Sequence, residues 1–322
     1  MAIAEPLEPV DPGRSDEPMQ TSAAPARRSS FYMAMRVLPP AQRDAMYEIY
    51  SFCRAVDDIA DDPGCHATRL AELNMWRARI DALYPGSAPS VLETALPTRV
   101  ALESTNGVAT GAMHGTAPLV SPTVSAGLAA AVKQFDLIKA DFLAVIDGMQ
   151  MDLDADIQAP DFATLDLYCD RVASAVGRLS TQVFGLSREH GVKLAYSLGR
   201  ALQFTNILRD LDEDADINRL YLCHESLEKA GITARTPAAV LAAPGLAAAC
   251  DWLAKAALDH YAAADALMRD APRKLVRAPR LMSVVYRDIL EKTIARGWEA
   301  PRTRVRVPRA KLVWLLLRHG LV

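Results

Sequence analysis

Two runs of carboxylates stand out by their spacing: Asp57-Asp58-Ile59-Ala60-Asp61-Asp62, and Asn206-Ile207-Leu208-Arg209-Asp210-Leu211-Asp212-Glu213-Asp214. Read as helix, each run sets two aspartates one turn apart on one face, Asp57 with Asp61 and Asp210 with Asp214, with Cβ atoms about 5–6 Å apart. Like charges at that spacing repel unless a cation sits between them. A hard divalent ion suits them. Mg²⁺ takes oxygen ligands at about 2.0–2.1 Å and keeps several waters, which leaves positions for phosphate oxygens, and Mn²⁺ accepts the same donors. Gln203, Asn206, Asp210 and Asp214 follow one another along a single face, so an amide joins the second pair. An exposed acidic turn would explain either run alone, and it suffices for Asp212, Glu213 and Asp216. Two runs, each entered from a patterned apolar helix and each carrying an arginine (Arg54, Arg209), favour a helical cavity holding metal-bridged phosphate.

Neighbouring residues fit such a cavity in graded ways. Tyr50, Arg54, Asp57 and Asp61 share a helix face, where Arg54 either binds a diphosphate or pairs with Asp57 or Asp58. Tyr168 and Arg171 precede a stretch of small residues, Val172 to Ser180, that lets another helix approach closely; the phenol of Tyr168 either faces a carbocation or simply packs. Arg219-Leu220-Tyr221 follows the second acidic run and is placed to close over phosphate. Ser29-Ser30-Phe31-Tyr32 caps a helix or offers its free amides to phosphate. The six histidines show no HExxH or other ligand spacing.

The elements that must hold these residues are helical. Met46, Ile49, Tyr50, Cys53 and Val56 form one apolar stripe, and Leu70, Leu73, Trp76, Ile80 and Leu83 the next, stopped by Tyr84-Pro85-Gly86. Phe142, Val145, Ile146 and Met149 mark a third. Further helices are expected from about 162 through Phe184, from Ala195 to Leu211 with a charged turn at 212–218, and over 246–268 and 280–296. Alternating strands and a Gly-rich phosphate loop are absent from the pattern, which argues against a parallel-sheet nucleotide fold. Residues 86–123, rich in Ser, Thr, Pro and Gly, read as a long surface excursion.

Composition narrows the partners. The 322 residues carry 36 basic and 39 acidic side chains, a net charge of −3, so no global field attracts nucleic acid. Five scattered cysteines lack disulfide or zinc spacing and fit a reducing, cytoplasmic setting. Residues 1–28, with five prolines and no apolar run, read as a disordered arm without a signal-peptide core. No stretch reaches the roughly 20 apolar residues of a bilayer span. Leu312 to Leu317, behind Arg302, Arg304, Arg306, Arg309 and Lys311, either closes the core or touches the inner face of a membrane.

Four blocks in this order, around Ser29–Tyr32, Tyr50–Asp61, Tyr168–Gly177 and Gln203–Asp214, resemble the squalene and phytoene synthase family over about residues 29–318. The resemblance implies an all-α, single-domain isoprenoid synthase fold with a central cavity between helices, spanning 29–322. It implies that Asp57, Asp61, Asn206, Asp210 and Asp214 hold Mg²⁺. Ser30, Tyr50, Arg54, Asn206, Arg219 and Tyr221 would then surround diphosphate, Tyr168 would serve the cyclopropane stage, and Phe31, Gln203, Phe204 and Tyr286 would line the cavity. The activity implied is head-to-head condensation of two farnesyl diphosphates to presqualene diphosphate without NADPH, feeding downstream squalene-forming enzymes of hopanoid synthesis. The alternatives are a full squalene synthase using NADPH, a phytoene synthase using geranylgeranyl diphosphate, and a non-catalytic isoprenoid binder. Cys223 stands where many relatives have proline, and residues 94–122 run longer than is usual in the family.

Overall fold

Pro39 and Pro40 open the first helix of the computed structural model, which describes residues 34–86, 124–154 and 157–308. Proline in the first helical turn loses no hydrogen bond, so α1 (Pro40–Asp61) starts there. Its buried face is Met46, Ile49, Phe52, Val56 and Ala60. Tyr50 and Cys53, expected in that stripe, lie beside it at intermediate exposure. Phe52 instead anchors the core, meeting Trp76 and Phe142 edge-on at 5.5 and 5.2 Å between ring centroids. Helix α2 (His66–Ala82) ends at the Tyr84-Pro85-Gly86 stop, where Gly86 has φ +89.

Then come α3 (Ala126–Phe135), α4 (Lys139–Asp154) and α5 (Phe162–Cys169), which runs through a π-helical turn (Asp170–Ser174) directly into α6 (Ala175–Phe184). The expected helix from 162 to Phe184 is therefore present, with one wide turn inside it. Helix α7 (Arg188–Arg209) begins a full two turns before Ala195 because Ser187 caps it, its Oγ accepting from His190 N. Charged residues 212–218 were expected to form a turn; most of them form a short helix, α8 (Leu211–Asp216), after a break at Asp210 (φ −105, ψ 20). Buried Leu211 pins that helix to the core, and this outweighs its four carboxylates. The remaining helices are α9 (His224–Lys229), α10 (Pro237–Leu241), α11 (Leu246–Arg269) and α12 (Arg277–Arg296).

No β-strand occurs among the described residues; one isolated bridge pairs Gln158 with Leu220. Two apolar clusters make up the core. One joins α1, α2, α4, α6 and the start of α12. The other joins α5, α7 and α11. Central α7 is buried on nearly every side and packs antiparallel to α6, where Gly177 lies against Ala195 and Gly199 against Ser174. A Cβ on Gly199 would come within 2.8 Å of Ser174 backbone atoms, so the small-residue stretch does serve close approach. The arm expected over 1–28, the cap at Ser29 to Tyr32 with Ser30 and Phe31, the excursion over most of 86–123, and the segment from Arg309 onward lie outside the described residues.

Candidate active site

Between the two clusters lies a cavity of about 510 Å³. Tyr50, Arg54, Asp57 and Asp61 line it from α1, Asp152 from α4, Tyr168 from α5, and Gln203, Asn206 and Arg209 from α7. Asp210, Asp214, Arg219, Tyr221 and Arg304 complete its polar wall. The two acidic runs, separated by about 150 positions in sequence, thus open onto one space. Arg219 spans them: its backbone N–H donates to Asp214 O at 2.8 Å and its guanidinium to Asp61 Oδ1 at 2.9 Å. The bridge between Gln158 and Leu220 holds Arg219 and Tyr221 there, with Ala159 N donating to Leu220 O at 2.9 Å.

The carboxylates pay an electrostatic cost for this crowding. Burial, reinforced by Asp61, pushes Asp57 up to about 6. Burial and Asp210 push Asp214 up to about 7. Arginines relieve part of the load. Arg54 reaches Asp57 at 3.0 Å and Asp58 at 2.6 Å. Arg304 forks onto Asp210 at 2.8 and 3.0 Å, and Arg209 also bonds Asp210. Asn206 lines the cavity, and its Oδ1 is buried without a hydrogen-bond partner. Among the described residues no three His, Cys, Asp or Glu side chains enclose a metal by themselves. A set of separated carboxylates and one amide oxygen suits an ion that completes its shell with water and phosphate.

The matching family model, described as squalene/phytoene synthase, covers residues 24–311. The chain belongs to the squalene/phytoene synthase family. It is 49% identical to a presqualene diphosphate synthase of Rhodopseudomonas palustris, over 91% of this chain and 94% of that one. It is 30% identical to a phytoene synthase of Mycobacterium tuberculosis over 80% and 75% of the two chains. A dehydrosqualene synthase crystallised with ligand shares the fold at TM-score 0.70 and 23% identity, covering 92% of both chains. The all-α isoprenoid synthase fold and prenyltransferase activity follow from this membership.

Within the family frame, Phe204 and Asp152 depart from the site residues expected from sequence. Phe204 does not line the cavity. It is fully buried in the second cluster with its ring 5.8 Å from His260, because one step from Gln203 turns a side chain about 100° around α7. Tyr286 lines the apolar extension of the cavity, its phenol raised by burial despite Arg209 beside it. Asp152 joins the site and accepts from Tyr168 Oη at 2.9 Å and from Tyr221 Oη at 2.8 Å. The two rings stack 5.0 Å apart. Burial raises Asp152 to about 6, against the pull of Arg219 and both hydroxyls, and burial with Asp152 raises Tyr168 well above the ordinary phenol range. A signal existed in the sequence: Asp152 continues the stripe of Phe142, Val145 and Met149 by three residues, a carboxylate on an otherwise apolar face.

Proposed function

We propose that the protein condenses two farnesyl diphosphates head to head, giving presqualene diphosphate and one free diphosphate. The observation that carries this reading is 49% identity to a presqualene diphosphate synthase across nearly the whole of both chains. The cavity supports it by joining a polar mouth to an apolar interior. Asp57, Asp61, Asp210, Asp214 and Asn206 would hold Mg²⁺, with Mn²⁺ as a substitute; when bound, the ion supplies charge neutralisation to the departing diphosphate. Arg54, Arg219 and Tyr50 bind the same group.

Behind the mouth, Val145, Met149, Val172 and Val176 exclude water from the allyl cation left when the first diphosphate departs. The double bond of the second substrate attacks that cation. Tyr168 and Asp152 then serve ring closure. The phenol oxygen takes the proton as the C–H electron pair forms the cyclopropane bond, while its own proton passes to Asp152 along the 2.9 Å bond. A phenol held this firmly neutral acts as a relay and not as a standing phenolate.

The product keeps one diphosphate, so a downstream enzyme must ionise it again and reduce it. One catalytic domain over 29–322 in the cytoplasm, in peripheral contact with the inner membrane face, fits a greasy product; among the described residues no helix is long and apolar enough to cross a membrane. Incubation with farnesyl diphosphate and Mg²⁺, with and without NADPH, tests the reading. Presqualene diphosphate should accumulate in both. Squalene appearing only with NADPH, or a strong preference for geranylgeranyl diphosphate, would overturn it.

A further inference from the structure

A second, apolar chamber of about 200 Å³ opens from the first; Val172, Val176, Gln203 and Asn206 line both. Helix α6 lines it at one-turn steps with Val176, Ser180 and Phe184, and antiparallel α7 answers with Asn206, Leu198 and Leu194. The hydroxyls of Ser180 and Thr181 are turned back onto the helix, donating to Val176 O at 2.7 Å and Arg178 O at 3.0 Å, so the α6 wall presents mainly carbon, and the amides of Gln203 and Asn206 stand at the junction with the first cavity. Along α7 the lining residues from Asn206 to Leu194 span about 18 Å at 1.5 Å per residue. Contact with the floor takes about 4 Å of that. Roughly 14 Å remains, close to the extended reach of three isoprene units at about 5 Å each. A fourth unit would have to enter the shell formed by Phe184 and Leu194, which are 4% and 0% exposed.

Building on the proposed function, we infer that Phe184 is the floor that limits a substrate chain to three isoprene units. Deleting its ring removes six carbons, and one isoprene unit brings five, so Phe184→Ala makes the room a fourth unit needs. The test supplies an equal mixture of farnesyl and geranylgeranyl diphosphates and analyses products by mass spectrometry. Phe184→Ala should raise the mixed product, carrying one chain of each length, about tenfold or more over wild type, and Phe184→Leu should raise it less. Ser180→Leu, one turn nearer the mouth, should shift preference from farnesyl to geranyl diphosphate, and it decides the matter if the Phe184 variants do not fold. Unchanged product ratios in folded variants overturn the inference. Binding of the unreactive farnesyl and geranylgeranyl thiodiphosphates, measured on the same proteins, separates the two claims. A wild type that discriminates by length yet makes no presqualene diphosphate would refute the function and leave the floor standing.

Discussion

Replacing Asp152 by asparagine should make the protein more stable at neutral pH while damaging catalysis. The carboxyl titrates near 3.8 in an unfolded chain and at about 6 in the fold, with burial as the main cause. A raised carboxyl value means that the folded state holds its proton more tightly. Its contribution is present below about pH 4 and is lost as pH climbs through about 6. That difference corresponds to ~3 kcal/mol, or about 5 °C in melting temperature for a chain of this size. Asp152→Asn has no proton to lose there. Asp57 and Asp214 are each pushed up in part by Asp152, so removing its charge eases both and adds to the gain of the variant at neutral pH. Thermal unfolding of the chelator-treated proteins, followed by circular dichroism from pH 4 to 7.5, should show the melting temperature of the variant gaining on wild type by about 5 °C across that range. The amide also gives Tyr168 and Tyr221 weaker bonds than a carboxylate does, at a cost of about 1 kcal/mol each, which leaves a smaller net gain. The kcat should therefore fall about tenfold or more. A melting difference that stays flat with pH, or shrinks, would mean that burial does not raise the Asp152 carboxyl.

Phe204→Ala should destabilise by about 3–5 kcal/mol in urea unfolding, as a core truncation does, while the KM for farnesyl diphosphate stays near wild type. Gly199→Ala places a methyl 2.8 Å from the Ser174 backbone and should cost about 1–3 kcal/mol by the same assay. Among the thiols, Cys65 is exposed with its value lowered by its bond to Thr68, whereas burial pushes Cys53 up to about 12. Iodoacetamide at pH 8, followed by mass spectrometry, should label Cys65 well before Cys53.

What the sequence disclosed was mostly local. The one-turn spacing of Asp57 with Asp61 needs only a helix to bring both onto one face, and apolar stripes marked α1, α2 and α4 with few errors. The small residues after Tyr168 foretold close packing, which Gly177 and Gly199 carry out against Ala195 and Ser174. Long-range partners were less visible. Nothing local shows that Arg304 forks onto Asp210, or that Tyr168 and Tyr221 meet at Asp152. Phe204 misled because an aromatic beside Gln203 looks like a cavity wall until the rotation of α7 is known. Residues 212–216 looked like a turn because their charge hid the single anchor, Leu211.

The proposed reaction requires the two acidic faces to act together on one diphosphate through divalent ions. Mn²⁺ binding measured by electron paramagnetic resonance, with and without inorganic diphosphate, tests it most directly on wild type, Asp61→Asn and Asp214→Asn. Diphosphate should strengthen Mn²⁺ binding in wild type, and either substitution, on either face, should remove most of that gain. Undiminished diphosphate-dependent binding in both variants would contradict that joint action.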